Sequence, residues 1–269
     1  AQVSKSPIDT LVKKGLLDIR KVEVDRSYFH HEDFIKGEPK LFNGEQQAAF
    51  NKIVEKMGER KFHTELLFGV TGSGKTEVYL QAMQRARDLG LGVIFLVPEI
   101  ALTTQTIERV RSRFKEQIAV LHHRLSDGER FDAYRGILNG KISIVIGARS
   151  AIFAPVNNLG LIIVDEEQDG SFKQTEEMPC YNARDIAIVR SKLQNAVCLL
   201  GSATPSFETF FNALSNKYGI SYLTKRAKNN PLPDVTIVDM RHEDDKKKGH
   251  CLFSDLLLDN IKDRLQTGE

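Results

Sequence analysis

Eight consecutive residues constrain this chain more than any others. Gly69-Val70-Thr71-Gly72-Ser73-Gly74-Lys75-Thr76 satisfies GxxxxGK(S/T) at every fixed position. The apolar run ELLFGV precedes it, and the helical pattern TEVYLQAMQRARDLG follows and stops at Gly90. That strand–loop–helix setting is what the chemistry needs. Glycines let the backbone curl until successive N–H groups face a phosphate, Lys75 adds a point charge for the β- and γ-phosphates, and Thr76 offers a hydroxyl to Mg2+. Gly72, Ser73, Gly74, Lys75 and Thr76 are therefore the expected nucleotide contacts. An ordinary glycine-rich turn is the competing reading, and the flanking strand and helix weigh against it.

The rest of the chain is patterned to build a sheet around such a loop. GVIFLVP, IAVLHH, ISIVIGA, LGLIIVDE and NAVCLLGSAT are near-continuously apolar, as parallel strands covered on both faces are. Amphipathic helices alternate with them, one beginning near Asn43 and another running from Thr103 to Phe114. The expected fold class is α/β, a mostly parallel central sheet flanked by helices. Ahead of it, IDTLVKKGLLDI has helical spacing up to Gly15, and RKVEVDRSYF alternates like a half-exposed strand. Those segments fit either the last helix and wing of a winged-helix domain or a simple helix–strand leader. HHEDFIKGEPK reads as a linker, and the tail from Tyr218 carries the charged runs KRAK and DDKKKGH before one amphipathic helix, SDLLLDNIKDRL.

Composition narrows the function classes. The 269 residues, 41% of them hydrophobic, suffice for one or two domains with a sizeable core. Lys plus Arg is 38 and Asp plus Glu is 36, a net charge of +2, so any basic surface must come from distribution rather than bulk charge. Cys180, Cys198 and Cys251 are odd in number, widely spaced and without a CxxC pair. This disfavours a disulfide framework and a cysteine zinc site, and points to a reducing compartment, the cytoplasm. No apolar run nears the ~18 residues a membrane span requires, and AQVSKSPID has no signal-peptide core. The expectation is a cytoplasmic protein, neither secreted, membrane-bound nor disordered.

Two further motifs complete the chemistry. Leu161-Ile162-Ile163-Val164-Asp165-Glu166 is an apolar strand ending in two carboxylates. Alone, such a pair is more often a solvated turn; the apolar residues before it and the phosphate loop upstream favour a site. Asp165 can there hold Mg2+ through water, and Glu166 can orient and deprotonate an attacking water. Gly201-Ser202-Ala203-Thr204-Pro205 also follows an apolar run, and by itself is weak, since Ser and Thr at strand ends commonly satisfy turn hydrogen bonds. As an ordered set, the phosphate loop, DEE and SAT point to a motor-type nucleoside triphosphatase. No guanine-reading NKxD occurs in the chain, so GTP is disfavoured.

GVTGSGKTEVY, VPEIALT, IGARSAIFAP, DEEQDGSFKQ, YNARD and LGSATPS occur in this order. Together they resemble the PriA family of bacterial primosomal replication-restart DNA helicases, in superfamily 2. The resemblance implies a RecA-like P-loop motor domain over residues 41–240. It implies the end of a winged-helix domain and a linker over residues 1–40, and a segment over 241–269 leading to an absent second motor domain. It implies ATP and Mg2+ as cofactors, with Lys75, Asp165 and Glu166 catalytic and Thr76 and Asp165 at the metal. The implied partners are single-stranded and forked DNA, other primosome proteins and single-stranded DNA-binding protein, with no membrane.

By the same resemblance Gln46 falls where related helicases read adenine, a task an amide can do bidentately; an exposed glutamine at a helix start is the alternative. Thr103, Thr104 and Arg149 fall on segments that track single-stranded DNA, against helix capping for the threonines and a surface ion pair for Arg149. Phe172 and Tyr181 match an aromatic-rich loop thought to sense DNA, against core-facing loop anchors. Ser202 and Thr204 match the motif coupling hydrolysis to strand movement. Three departures stand out: Gln168 replaces the usual His of DEEH, the second motor domain with its arginine fingers is absent, and so are the family's zinc-binding cysteine pairs and most of its N-terminal DNA-binding region. The resemblance thus implies a fragment that binds ATP, hydrolyses it poorly and unwinds nothing alone. Two rival readings are a DNA- and protein-binding module with a structural P-loop, and the motor of another superfamily 2 translocase such as a restriction enzyme.

Overall fold

The computed structural model describes residues 5–18, 38–102, 104–114, 118–122, 125–175, 178–226, 235–242, 250 and 252–267. The strand expected within RKVEVDRSYF and most of the linker lie outside them. Helix α1 (Lys5–Lys13) is closed by Gly15 at φ 69°, where the Leu16 N–H returns to the Leu11 carbonyl at 3.0 Å. The remaining order is α2 (Gly44–Gly58), β1 (His63–Gly69), α3 (Lys75–Asp88), β2 (Gly92–Leu96), α4 (Thr104–Phe114), β3 (Ile118–Leu121), α5 (Asp127–Leu138), β4 (Ile144–Gly147), β5 (Leu159–Asp165), β6 (Lys173–Gln174), β7 (Tyr181–Asn182), α6 (Ala183–Leu193), β8 (Val197–Ser202), α7 (Phe207–Leu214), β9 (Gly219–Leu223) and α8 (Asp255–Thr267). Helices α2 and α5 each start from a capping box, Asn43 with Gln46 and Ser126 with Glu129, which satisfies N–H groups the helix itself leaves open.

Seven strands form one sheet in the order β3-β4-β2-β5-β8-β1-β9, with every neighbouring pair parallel; β6 and β7 form a separate antiparallel pair. Strand residues alternate between two buried clusters. Leu67, Val93, Phe95, Leu161, Ile163 and Leu199 pack with α2, α3 and α4 on one face. Leu66, Ile94, Leu96, Ile162, Val164 and Leu200 pack with residues of α5, α6 and α7 on the other. Burial on both faces explains why the strands read as continuous apolar runs rather than as alternation. The expected α/β class with a parallel sheet is what the chain forms.

The segment from Tyr218 was expected to be tail, and its first residues instead form the edge strand β9 beside β1. GISYL has a single fully buried residue, Leu223, so its apolar signal is weak. A side-chain cluster helps fasten it. Glu65 on β1 is fully buried and accepts from Lys52 Nζ at 2.8 Å and from Ser221 Oγ of β9 at 2.7 Å, with His63 Nε2 at 2.7 Å. Burial alone would push this carboxyl up, but His63, Lys52 and Ser221 together hold it below the usual range.

Compactness divides the chain after Lys228 into a unit of residues 1–228 and a second unit of 229–269. Taken by itself, the second unit contains α8, on which Leu256, Leu257, Ile261 and Leu265 are exposed. No described helix is long and apolar enough to cross a membrane. In the first unit, the strand order brings the carboxyl ends of β5, β8 and β1 side by side, with Asp165 opposite Gly201 and Ser202 opposite Phe68. Open parallel sheets bind ligands just outside such ends.

Candidate nucleotide-binding site

The phosphate loop leaves β1 at Gly69 and enters α3 at Lys75. Gly72 and Gly74 adopt φ 80° and 86°, a region that side chains disfavour, and Gly74 stands at the N-cap of α3 without a side-chain cap. The first N–H groups of α3 lack helical partners, so this terminus favours an anion. Lys75 is 8% exposed and its Nζ donates to the Gly69 carbonyl at 2.7 Å, which keeps the ammonium inside the loop. Ser73 Oγ is buried with no hydrogen-bond partner. An orphaned hydroxyl costs free energy unless a ligand satisfies it.

Asp165 ends β5 and accepts from the Tyr79 hydroxyl through Oδ1 at 2.9 Å. Burial, reinforced by Glu166, pushes the Asp165 carboxyl above the usual range, against the opposing pull of Tyr79 and Lys75. Burial and the neighbouring Asp165 push the Tyr79 phenol well above its usual value, so it is a donor at every working pH. Glu166 sits at φ 49°, unusual for a non-glycine, and its carbonyl accepts from Asp169 N–H at 2.8 Å. From its side chain a line of bonds crosses to the next strand. Gln168 Nε2 donates to Glu166 Oε2 at 2.9 Å, Ser202 Oγ donates to Gln168 Oε1 at 2.6 Å, and Thr204 N–H donates to Ser202 Oγ at 2.9 Å. Gln168 thus uses both ends of its amide, which a permanently neutral side chain does without any dependence on protonation.

Thr76, by its place in the loop motif, and Asp165, at the end of β5, are the residues that could hold a Mg2+ ion. Among the described residues no group of three or more His, Cys, Asp or Glu is arranged as a metal site. A sparse donor set at a phosphate loop suits Mg2+, which keeps several waters and takes phosphate oxygens. When bound, it supplies positive charge to the phosphate oxygens. The strained acid, the orphaned hydroxyl and the raised Asp165 carboxyl all fit a magnesium nucleotide.

Residues 43–212 match the DEAD/DEAH box helicase family. The chain belongs to that family. Helicase domains of this kind use ATP and Mg2+ in general. In an alignment 273 residues long that takes in all of this chain, it is 47% identical to the replication restart protein PriA of Chlamydia pneumoniae, and over 266 residues, 99% of the chain, it is 42% identical to that of Bacillus subtilis (strain 168). It covers 36% and 33% of those two relatives, so the chain spans about a third of their length. Among solved structures, RecG bound to a three-way DNA junction matches with a TM-score of 0.53 and 27% identity, over 75% of this chain and 25% of that one.

The remaining residues of this helicase domain divide by where they sit. Gln46 is 4% exposed, so the exposed-glutamine alternative does not describe it. Its Oε1 accepts from Asn43 N–H at 2.9 Å and its Nε2 donates to the Ser73 carbonyl at 2.8 Å, tying α2 to the phosphate loop. One N–H and one lone pair of the amide stay unspent. Thr103 and the side chain of Thr104 lie outside the described residues. Arg149 opens a 3-10 turn (Arg149–Phe153) and its Nη1 donates to the Lys173 carbonyl at 3.3 Å, a backbone contact rather than an ion pair.

Phe172 is 1% exposed and belongs to the core cluster on the α6 side, which is the loop-anchor reading of that residue. Tyr181 is half-buried and meets Phe153 edge-on, centroids 5.2 Å apart and planes at 74°. Phe153, quoted within IGARSAIFAP but not singled out, is 52% exposed between the fully buried Ile152 and Ala154. Arg190 of α6 donates to the carbonyls of both those neighbours, which fixes the turn with the phenylalanine outward.

Glu167 is the other residue the sequence reading passed over. It is 2% exposed and accepts from Ser206 N–H at 2.7 Å, Thr209 Oγ1 at 2.8 Å, and Ser206 Oγ and Arg184 Nη1 at 3.2 Å each. Its own N–H donates to the Gly201 carbonyl at 3.1 Å. The third acid of DEE therefore fastens β5's exit to α6, α7 and β8. The available signal was a run of three acids beside a Ser206 N-cap; the partner identities were not in the local sequence.

Proposed function

We propose that this chain is the ATP-binding motor domain of an ATP-dependent 3′-to-5′ DNA helicase that restarts stalled replication forks. In this reading residues 41–240 are the first of two RecA-like motor domains, residues 1–40 end a winged-helix domain and linker, and residues 241–269 lead toward the second. The observation that carries it is the line Glu166–Gln168–Ser202–Thr204, which joins the acid beside the phosphate loop to the SAT residues on the neighbouring strand. Lys75 exchanges the Gly69 carbonyl for phosphate oxygens, and Ser73 Oγ and the N-terminus of α3 take the rest of the phosphate. Gln46 spends its remaining N–H and lone pair on adenine. Glu166 orients and deprotonates the attacking water, and its changed hydrogen bonding passes through Gln168 to Ser202 and Thr204.

Single-stranded DNA would lie along Thr103, Thr104, Arg149 and Tyr181, with Phe153 added to that face and Phe172 beneath it. Likeness along this chain to about a third of each replication restart protein supports restart as the process, and a neighbour seen on a three-way DNA junction supports branched DNA as substrate. Forked DNA, other primosome proteins and single-stranded DNA-binding protein are the partners of the longer protein, in the cytoplasm. Arginine fingers on a second motor domain would complete the ATP site, and lacking one costs ~10³-fold or more in turnover.

The test is binding of a non-hydrolysable ATP analogue to this chain and to its Lys75→Ala variant. Micromolar affinity, about 8 kcal/mol, lost in the variant with the thermal midpoint intact, is expected. Equal affinity in both proteins would take the phosphate loop out of the account and leave a binding module with a structural P-loop.

A further inference from the structure

Tyr79 lies in the second turn of α3, is fully buried, and has its ring 5.8 Å from that of Phe95. A tyrosine at such a position needs a partner for its hydroxyl, and the partner is Asp165 Oδ1 at 2.9 Å on another strand. The same hydroxyl explains a glycine. Gly201 is the β8 residue in register with Asp165, and a Cβ built there would stand 1.6 Å from the Tyr79 oxygen and 3.4 Å from Asp165 Oδ1. The first residue of GSATP is therefore hollow to admit the hydroxyl. Through one atom, the helix that starts at the phosphate loop touches the carboxylate of β5 and the backbone of β8.

We propose that Tyr79 is a positioning residue for the magnesium nucleotide: its hydroxyl fixes the plane of the Asp165 carboxylate relative to Lys75 and Thr76. The inference rests on the ATP–Mg2+ reading of the site. Carboxylates at a metal are ordinarily oriented by such outer hydrogen bonds; losing one from a direct ligand weakens metal affinity about 10–100-fold, and the loss is toward the low end where the acid acts through water. The Tyr79 hydroxyl is spent on Asp165, so its effect falls on the metal dependence of binding rather than on nucleotide contact itself.

The experiment titrates MgCl2 into the full chain with a fluorescent non-hydrolysable ATP analogue, for wild type, Tyr79→Phe, Gly201→Ala and Asp165→Asn. In Tyr79→Phe the Mg2+ concentration at half-saturation rises at least about fivefold, toward the 10–100-fold range of outer-shell losses. Affinity for the analogue in EDTA and the circular-dichroism spectrum stay unchanged. Gly201→Ala, whose Cβ takes the hydroxyl's space, shifts the Mg2+ requirement the same way, and Tyr79→Phe, which only removes an atom, keeps the proposal testable should the alanine variant fold poorly. In the Asp165→Asn background, Tyr79→Phe adds nothing. An unchanged Mg2+ requirement in Tyr79→Phe, or equal losses with and without Mg2+, overturns the positioning role and leaves Tyr79 as core. Wild type that binds the analogue without any Mg2+ dependence sinks the metal reading of the site itself.

Discussion

Asp165, Glu166 and Glu167 are consecutive carboxylates at the end of one strand, and the fold uses them in opposite ways. Glu167 is fully satisfied: two hydroxyls, an N–H and a guanidinium surround it. Asp165 is half-buried with its carboxyl pushed up, and Glu166 is held in a strained conformation. One carboxylate is satisfied by the domain itself, while the other two are maintained at a cost that a bound cation would offset. Adjacent residues of one chemical type thus separate into structure and chemistry by what the neighbouring elements offer them.

The sharpest way to break the comparison is Glu167→Ala. It leaves Arg184, whose side chain is 13% exposed, without its buried partner, and strands the Ser206 N–H and Thr209 hydroxyl. A loss of about 3–5 kcal/mol is expected, read as a lowered urea midpoint. A change of a few tenths would mean that Glu167 is no anchor.

How much of this was legible in the sequence follows the distance over which each feature is determined. The phosphate loop is eight contiguous residues, and its flanking strand and helix are local patterns, so motif and context were both readable. The parallel sheet was readable because burial on both faces leaves continuous apolar runs. Glu167 was not, since its partners lie 17, 39 and 42 residues away. Tyr79 reads as an ordinary core position of a helix until β5 is folded beside it. Phe172, for which both a DNA-sensing and a core-facing reading stood open, and Phe153, which the pattern does not single out, are decided only by folding for a similar reason. Both sit in or beside 3-10 turns, where no simple period says which side is buried, and only the Arg190 bonds to the Ile152 and Ala154 carbonyls fix Phe153 outward.

A smaller effect sharpens the contrast between the nucleotide end of the sheet and the exposed aromatic turn. Phe153→Ala should reduce affinity for single-stranded oligodeoxythymidine by about 1–3 kcal/mol, the range for one stacked base. Phe153→Tyr should restore it, and ATP-analogue affinity should stay as in wild type. Oligonucleotide binding unaffected by Phe153→Ala would assign that turn to something other than DNA.

The smallest effect tests the central claim most directly, because its sign is the opposite of an ordinary core substitution. Asp165 has its folded-state carboxyl raised above the usual range, so the folded chain holds that proton more tightly than the unfolded one. Its contribution is therefore favourable at acid pH and is lost as pH rises from the ordinary aspartate range through the raised value. At neutral pH, Asp165→Asn should raise the thermal midpoint of the nucleotide-free chain, flatten its decline with pH above the ordinary aspartate range, and abolish the further rise that MgCl2 with an ATP analogue gives wild type. A variant whose midpoint falls at neutral pH, or that still gains stability from the magnesium nucleotide, would contradict a site built around that carboxylate.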